Sequence, residues 1–186
     1  MTTARGHATY SRLEVNRLGL WLFIISESML FVGLLAARFA IEGFAVPAEV
    51  SQVVGLVITS VLLLSSFTAY RAETALRHGE RALGLSSLRL TLILGLIFVA
   101  GVAVEWREAL HALPPSTSFG TVFFTMTGLH AFHVITGLVF LGIVYGRARA
   151  GAYDGGDTWP AEAAAKYWHF VDVVWVFFYV ALYLVD

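Results

Sequence analysis

The sequence predicts an all-α membrane protein, a bundle of five transmembrane helices whose N-terminus is cytoplasmic and whose C-terminus lies outside. Of its 186 residues, 58% are hydrophobic and only 13% are charged, and the mean hydropathy is +0.76. A soluble domain of this size needs more polar surface, so most of the chain must face lipid or other protein. Because lipid offers backbone amides no hydrogen-bond partner, the spanning segments are expected to be helices. The chain contains no cysteine, which excludes disulfides and thiolate metal sites.

Five apolar runs are long enough to cross a hydrocarbon core, which takes about 20 helical residues. Polar residues, glycine or proline bound each run. The first run contains Glu27 and ends without a small-residue cleavage site, so we expect that it is not a cleavable signal peptide. The predicted helices of this single transmembrane domain, residues 1–186, lie near 17–41, 50–70, 85–105, 119–145 and 166–185.

The positions of lysine and arginine orient the bundle. Of the 12 basic residues, only Arg38 and Arg107 fall on one side of the membrane. This bias places the N-terminus in the cytoplasm, because cytoplasmic loops are enriched in lysine and arginine. The basic side receives the remaining ten residues, which are Arg5, Arg12, Arg17, Arg71, Arg77, Arg81, Arg89, Arg147, Arg149 and Lys166.

Glu27 lies near the middle of the first predicted helix. A charged carboxylate is costly at that depth, so we expect a neutral acid. Ser26 and Ser28 lie beside it and are able to share a hydrogen bond, but neither can neutralise a charge. Two interpretations follow. Glu27 is either a proton-linked or lipid-contacting acid, which we favour slightly, or a buried acid that only hydrogen-bonds a neighbouring helix.

Glu105 ends the third predicted helix, beside Trp106 and Arg107. This position is predicted to reach the water of the lipid headgroups. Our first interpretation of Glu105 is therefore an anchor at the membrane edge, and our second is a functional site.

The fourth predicted helix carries two histidines on one face. Met126, His130, His133 and Gly137 recur at helical spacing. Two imidazoles can ligate a metal or a haem, but the sequence supplies too few further ligands at the right depth. We expect neutral histidines that are hydrogen-bonded between helices.

The fifth predicted helix combines an apolar composition with two ionisable residues, His169 and Asp172. Together with Val176, Tyr179 and Tyr183 they form one face, which should contact protein rather than lipid. Asp172 lies one turn from His169, so an ion pair or hydrogen bond between them is predicted.

Several chemistries are missing from the sequence. It contains no nucleotide-binding loop, no nucleophile elbow, no HExxH and no set of two ExxH motifs such as a di-iron bundle requires. The segments between the apolar runs are short. The residues therefore predict a helical bundle with buried acids that is one subunit of a larger assembly.

Four blocks resemble subunit III of the haem–copper oxidases, the cytochrome c and quinol oxidase family. They occur in the family's order from about Asn16 to the C-terminus, and the last two are the most specific. The blocks are WLFIISESMLFVGLLAA, AVEWREA, SFGTVFFTMTGLHAFHVITGLVFL and AAKYWHFVDVVWVFFYVALY.

The resemblance implies a non-catalytic subunit that binds no haem and no copper, because these lie in partner subunits. Such a subunit packs mainly against subunit I, within a complex that includes subunit II, and holds structural phospholipid. It supports proton uptake and protects the oxidase during turnover. The chain is similar to the family's five-helix form, which lacks the first two of seven helices. We therefore expect a multi-pass protein of a bacterial or archaeal plasma membrane.

The resemblance also places individual residues. Glu27 matches the family's buried acid, which reacts with hydrophobic carbodiimides. Structural or lipid-contacting positions are implied for the other matched residues, which are Glu105, His130, His133, His169, Asp172 and Trp175. The resemblance implies no catalytic residue and no metal ligand in this chain.

Three hypotheses remain open at this point. The first is an accessory subunit of a proton-pumping terminal oxidase in aerobic respiration. The second is a five-helix protein that serves a nitric oxide reductase or another respiratory complex. The third is a self-sufficient membrane protein that binds haem through His130 or His133.

Overall fold

The computed structural model of the chain describes residues 10–44, 46–47 and 52–184. These residues form five long α-helices, and the last continues as a π-helical turn over Val180–Leu184. All five helices are long and apolar enough to cross a membrane. The predicted all-α bundle of five transmembrane helices is therefore confirmed. The helices are α1 (Arg12–Glu42), α2 (Gln52–Arg77), α3 (Arg81–Ala112), α4 (Ser118–Arg149) and α5 (Trp159–Tyr179).

The helices extend beyond their predicted limits at one or both ends, because hydropathy detects only their apolar parts. α1 begins with a capping box, in which Ser11 and Glu14 each bind the other's backbone N–H. α2 continues for seven residues past its predicted end, and an ion pair between Glu73 and Arg77 joins its last turns. The predicted residues 50, 51 and 185 lie outside the described part of the chain.

α5 occupies the centre of the bundle. It packs against α1, α2 and α4, and it is the most deeply buried of the five helices. α2 pairs with α3, and α3 pairs with α4. α1 lies on the outside against α4 and α5 and leaves most of its surface exposed. The core is therefore formed mainly by α2 to α5, and α1 is a peripheral helix that contributes Phe31 to it.

Two fully buried tryptophans of α5, Trp168 and Trp175, fill the core. α3 and α4 approach the Trp168 ring closely because they present glycines to it. A Cβ atom on Gly95 would lie 2.7 Å from this ring, and one on Gly137 would lie 2.8 Å from it. Small residues at such contacts let membrane helices pack closely against a large side chain.

Hydrogen bonds between side chains join α2 to both of its neighbours. The indole N–H groups of α5 donate to hydroxyls of α2, and a pair of threonines joins α2 to α3. These bonds satisfy polar groups that lipid cannot satisfy. They are Trp168 Nε1 to Ser65 Oγ at 3.0 Å, Trp175 Nε1 to Thr59 Oγ1 at 2.9 Å, and Thr68 to Thr91 at 2.8 Å.

One end of the bundle is basic. It is formed by the α2–α3 turn, residues 78–80, and the α4–α5 loop, residues 150–158. We call it the basic end, and the sequence predicts that it faces the cytoplasm. Arg81 crosses it and donates to the Asp154 carboxylate at 3.2 Å and to the backbone carbonyl of Arg149.

Candidate functional site

Glu27 faces the bundle and contacts His133 of α4. Its Oε2 atom lies 3.1 Å from Nε2 of His133, and its side chain is 24% exposed. Neither neighbouring serine takes part, because Ser26 and Ser28 bond to backbone carbonyls of their own helix. The residue therefore has a partner on another helix, which a sequence cannot reveal.

The hydrogen bond made by the second nitrogen of His133, Nδ1, limits where the proton lies in the contact with Glu27. Nδ1 lies 2.8 Å from the backbone carbonyl of Leu129. A carbonyl only accepts, so Nδ1 must carry a proton. In a neutral imidazole, Nε2 then carries no proton and accepts a hydrogen bond from a protonated Glu27 carboxyl. If the proton moves to Nε2 instead, the pair becomes an ion pair. Either way one proton is shared between the two groups.

His130 has a different environment from His133. It is fully buried, and neither ring nitrogen has a hydrogen-bond partner within the described residues. Its ring centroid lies 4.9 Å from that of Trp175 and 5.8 Å from that of Phe98. The prediction of a histidine hydrogen-bonded between helices was therefore wrong for His130, which packs among aromatic rings.

The described residues contain no group of three or more histidine, aspartate or glutamate side chains that could hold a metal ion. His130 and His133 face different partners rather than one shared centre. The geometry gives no support for a haem or metal site at these two histidines.

On α5, His169 pairs with a residue of another helix. Its Nδ1 lies 2.7 Å from the Ser66 hydroxyl of α2. Asp172 is 2% exposed, and neither carboxyl oxygen has a hydrogen-bond partner within the described residues. The predicted ion pair or hydrogen bond between His169 and Asp172 was wrong, because Nδ1 of His169 is hydrogen-bonded to Ser66 instead. The third matched residue of this helix, Trp175, donates to Thr59.

Glu105 is buried rather than exposed at the membrane edge. It is 7% exposed, and Oε1 accepts a hydrogen bond from the Tyr183 hydroxyl at 2.8 Å. Tyr183 belongs to the π-helical turn that ends α5. The predicted anchor at headgroup water was therefore wrong, because the end of α5 covers this carboxyl.

Sequence reasoning missed an ionic cluster at the basic end. Glu162 of α5 accepts from Arg17 of α1 at 2.9 and 3.1 Å and from Lys166 at 2.6 Å. The spacing of Glu162 and Lys166, four residues apart on one helix, was the available signal. The ion pair between Glu162 and Arg17 of α1 could not be predicted from the sequence, because its partners lie far apart along the chain.

An apolar groove of about 360 Å³ opens between α1, α4 and α5. We call it the α1 groove. The ionic cluster lies near its basic end, and the Glu27–His133 pair also joins its walls. An apolar groove beside cationic side chains can accommodate an acyl chain and an anionic headgroup. Among the lining residues are Leu20, Phe23, Phe140, Val144, Ala163 and Tyr167.

Comparison with known proteins gives a match over the whole chain. The family model described as cytochrome c oxidase subunit III matches residues 1–186.

Individual relatives carry the same description. "Cytochrome c oxidase subunit 3" of Danio rerio is 38% identical over 193 residues, which cover 97% of this chain and 74% of the relative. The protein of that name from Cyprinus carpio is 37% identical over the same shares of both chains. The one from Branchiostoma lanceolatum is 37% identical over 201 residues, covering 97% of this chain and 73% of the relative.

Proposed function

This chain belongs to the cytochrome c oxidase subunit III family, and from that premise we propose how it serves its complex. It is a multi-pass membrane protein and a non-catalytic subunit of a haem–copper oxidase of the respiratory chain. The nitric oxide reductase alternative is not favoured, since the matched relatives are cytochrome c oxidase subunits. The whole-length family match is the observation that carries this conclusion.

The proposal has three finer parts. The chain packs mainly against subunit I, within a complex that includes subunit II. Haem and copper lie in those partner subunits. The chain also supports proton uptake and the stability of the oxidase during turnover.

We assign the structural phospholipid to the α1 groove. Its walls are apolar, which suits an acyl chain. At its basic end, Lys166 lies 5.9 Å from the centre of the Trp21 ring. Arg17 is 47% exposed on its side chain and so can reach a headgroup while it remains paired with Glu162. A phosphate group at this end would meet two cations.

The first experiment purifies the complex that contains this chain and measures its haem and copper. An oxidase with both cofactors and with subunit I as a cross-linked neighbour of this chain is expected. When the chain is removed, the remaining complex should keep its metals but lose activity faster during turnover. A complex without copper, or an isolated chain with haem absorbance, would contradict the proposal.

The second experiment tests the lipid. Ala163→Trp places a large side chain in the α1 groove, whereas Ala103→Trp places one on the exposed surface of α3. Mass spectrometry of the purified complex should show loss of tightly bound phospholipid for Ala163→Trp only. Equal lipid content in both variants would remove the groove as the lipid site.

A bacterial or archaeal plasma membrane remains a prediction for the location. The three relatives described above are animal proteins and give this prediction no support. Five helices capable of crossing a membrane support the multi-pass arrangement itself. Fractionation of the source cells, with this chain followed by antibody, would identify the membrane.

A further inference from the structure

Asp172 is an acid without a hydrogen-bond partner inside the bundle. It is 2% exposed, and both carboxyl oxygens lack a partner within the described residues. No arginine or lysine is paired with it in that part of the chain. A buried carboxylate is stable only with charged or hydrogen-bonding partners. The carboxyl of Asp172 is therefore neutral and carries a proton that it can donate.

Ser66 of α2 lies beside the turn of α5 that carries this carboxyl, because it contacts His169, three residues before Asp172. Neither carboxyl oxygen is in hydrogen-bond geometry with a partner within the described residues. The Ser66 hydroxyl is 2.7 Å from Nδ1 of His169. A hydroxyl has one proton and two lone pairs. When Ser66 donates to Nδ1, its oxygen remains able to accept from Asp172. This second bond requires the Asp172 carboxyl to turn toward Ser66.

We propose that Asp172, Ser66 and His169 form a proton-exchange relay across the interface of α2 and α5, with Asp172 as its proton-holding site. The Asp172 proton passes to Oγ of Ser66, and the Ser66 proton passes to Nδ1 of His169. The Nε2 proton of His169 then leaves to water, and the reverse sequence returns a proton to Asp172. No net charge moves in a complete exchange.

The titratable and charged groups around the relay indicate toward which end of the bundle it opens. His169 is only partly buried and lies in the half of α5 nearer the basic end. From α2, the Glu73 carboxylate lies two turns from Ser66 and is paired with Arg77. From α5, Lys166 is paired with Glu162. On the other side, His130 of α4 packs on Trp175, one turn from Asp172. The relay therefore opens toward the basic end.

Infrared spectroscopy of the purified complex tests this inference, which does not depend on the proposed lipid or turnover roles. A protonated carboxyl absorbs apart from carboxylate and amide groups, and its band shifts when the proton is exchanged for deuterium. We expect a carboxyl band that Asp172→Asn removes and that shifts in heavy water. Ser66→Ala should slow that shift several-fold without removing the band.

Ser65→Ala is the matched control. Ser65 is the adjacent residue of α2 and also bonds to α5, but it accepts from Trp168 rather than contacting His169. Its variant should exchange at the wild-type rate, and Ser66→Thr, which keeps the hydroxyl, should do the same. Co-purification of the other subunits establishes that each variant has assembled. The relay is overturned if no band depends on Asp172, or if Ser66→Ala exchanges as fast as Ser65→Ala.

Discussion

At the scale of single residues, two acids inside the apolar bundle are paired across helices, whereas Asp172 and His130 have no hydrogen-bond partner within the described residues. Glu27 shares a proton with His133, and Glu105 accepts from Tyr183. In both cases the partner belongs to a different helix, 106 or 78 residues away in the chain. The sequence shows that such residues need protein around them, but not which atom faces which. The prediction that Glu105 is exposed at the membrane edge was wrong for this reason.

Position 27 is expected to tolerate a neutral amide better than a cation. Glu27→Gln keeps an amide that can donate to Nε2 of His133, so the complex should assemble in wild-type yield. Glu27→Lys places a cation near mid-helix, which costs about 2.5–3.5 kcal/mol on insertion scales, so yield should fall. Yield is measured as purified complex per cell mass. If both variants give the same yield, Glu27 is not held in the apolar interface.

Tyr183→Phe should destabilise the bundle. The change removes the hydroxyl that donates to Glu105 and leaves a buried carboxyl without a donor, which costs about 1–3 kcal/mol. Thermal unfolding of the purified complex, followed by loss of this subunit, measures the effect. Tyr179→Phe is the control, because its hydroxyl makes no hydrogen bond to the described residues. An equal loss in both variants would show that the Glu105 bond contributes nothing.

At the scale of helices, close packing depends on where glycine meets a large ring. Gly137 of α4 faces Trp168, whereas Gly142, five residues later on the same helix, has open space around it. Helix existence follows from apolar length and could be predicted. Helix limits were predicted too short, because the polar turns that cap α1 and extend α2 have no apolar signal.

Gly137→Ala should therefore disrupt the core. The added Cβ would lie 2.8 Å from the Trp168 ring, and overpacking of this kind costs about 1–3 kcal/mol. Gly142→Ala should be neutral or slightly stabilising, since alanine has the higher helix propensity. Melting temperatures of the two variants decide the matter. If Gly137→Ala had the same melting temperature as Gly142→Ala, the contact between Gly137 and Trp168 would not be closely packed.

The attachment of α1 depends on Glu162. Glu162→Gln removes the charge that holds Arg17, and an ion pair with one solvent-exposed partner is worth about 1 kcal/mol. Hydrogen exchange of α1 amides should quicken, while exchange in α3 stays unchanged. Glu73→Gln removes an ion pair within α2 instead and serves as the control. The same exchange pattern in both variants would contradict a role for Glu162 in docking α1.

At the scale of the whole molecule, charge and hydropathy together predict both architecture and orientation. Five spans and the distribution of basic residues require no knowledge of contacts, and the five-helix bundle was predicted correctly. The α1 groove could not be predicted, because it is lined by three helices whose mutual arrangement hydropathy does not reveal. The orientation of the bundle remains a prediction.

Labelling of introduced cysteines tests that orientation, and the natural chain contains no cysteine to interfere. Gly155→Cys lies in the loop at the basic end, and Ser116→Cys lies in the exposed α3–α4 connection at the opposite end. In intact cells a membrane-impermeant maleimide should label Ser116→Cys only. After the membrane is opened, both should react. Labelling of Gly155→Cys in intact cells would invert the predicted topology.

The π-helical turn over Val180–Leu184 decides which face Tyr183 presents, and the Tyr183 hydroxyl donates to Glu105. Such a turn is wider than an α-helical one and acts as one inserted residue. Successive residues of an ordinary helix are about 100° apart, so rewinding the segment without a deletion would turn the phenol ring away from the carboxyl that it covers. Deleting Ala181 should instead let the segment rewind with Tyr183 close to its present face, because the lost residue and the narrower turn compensate each other. The wide turn thus works as a spacer that keeps this corner of the protein closed.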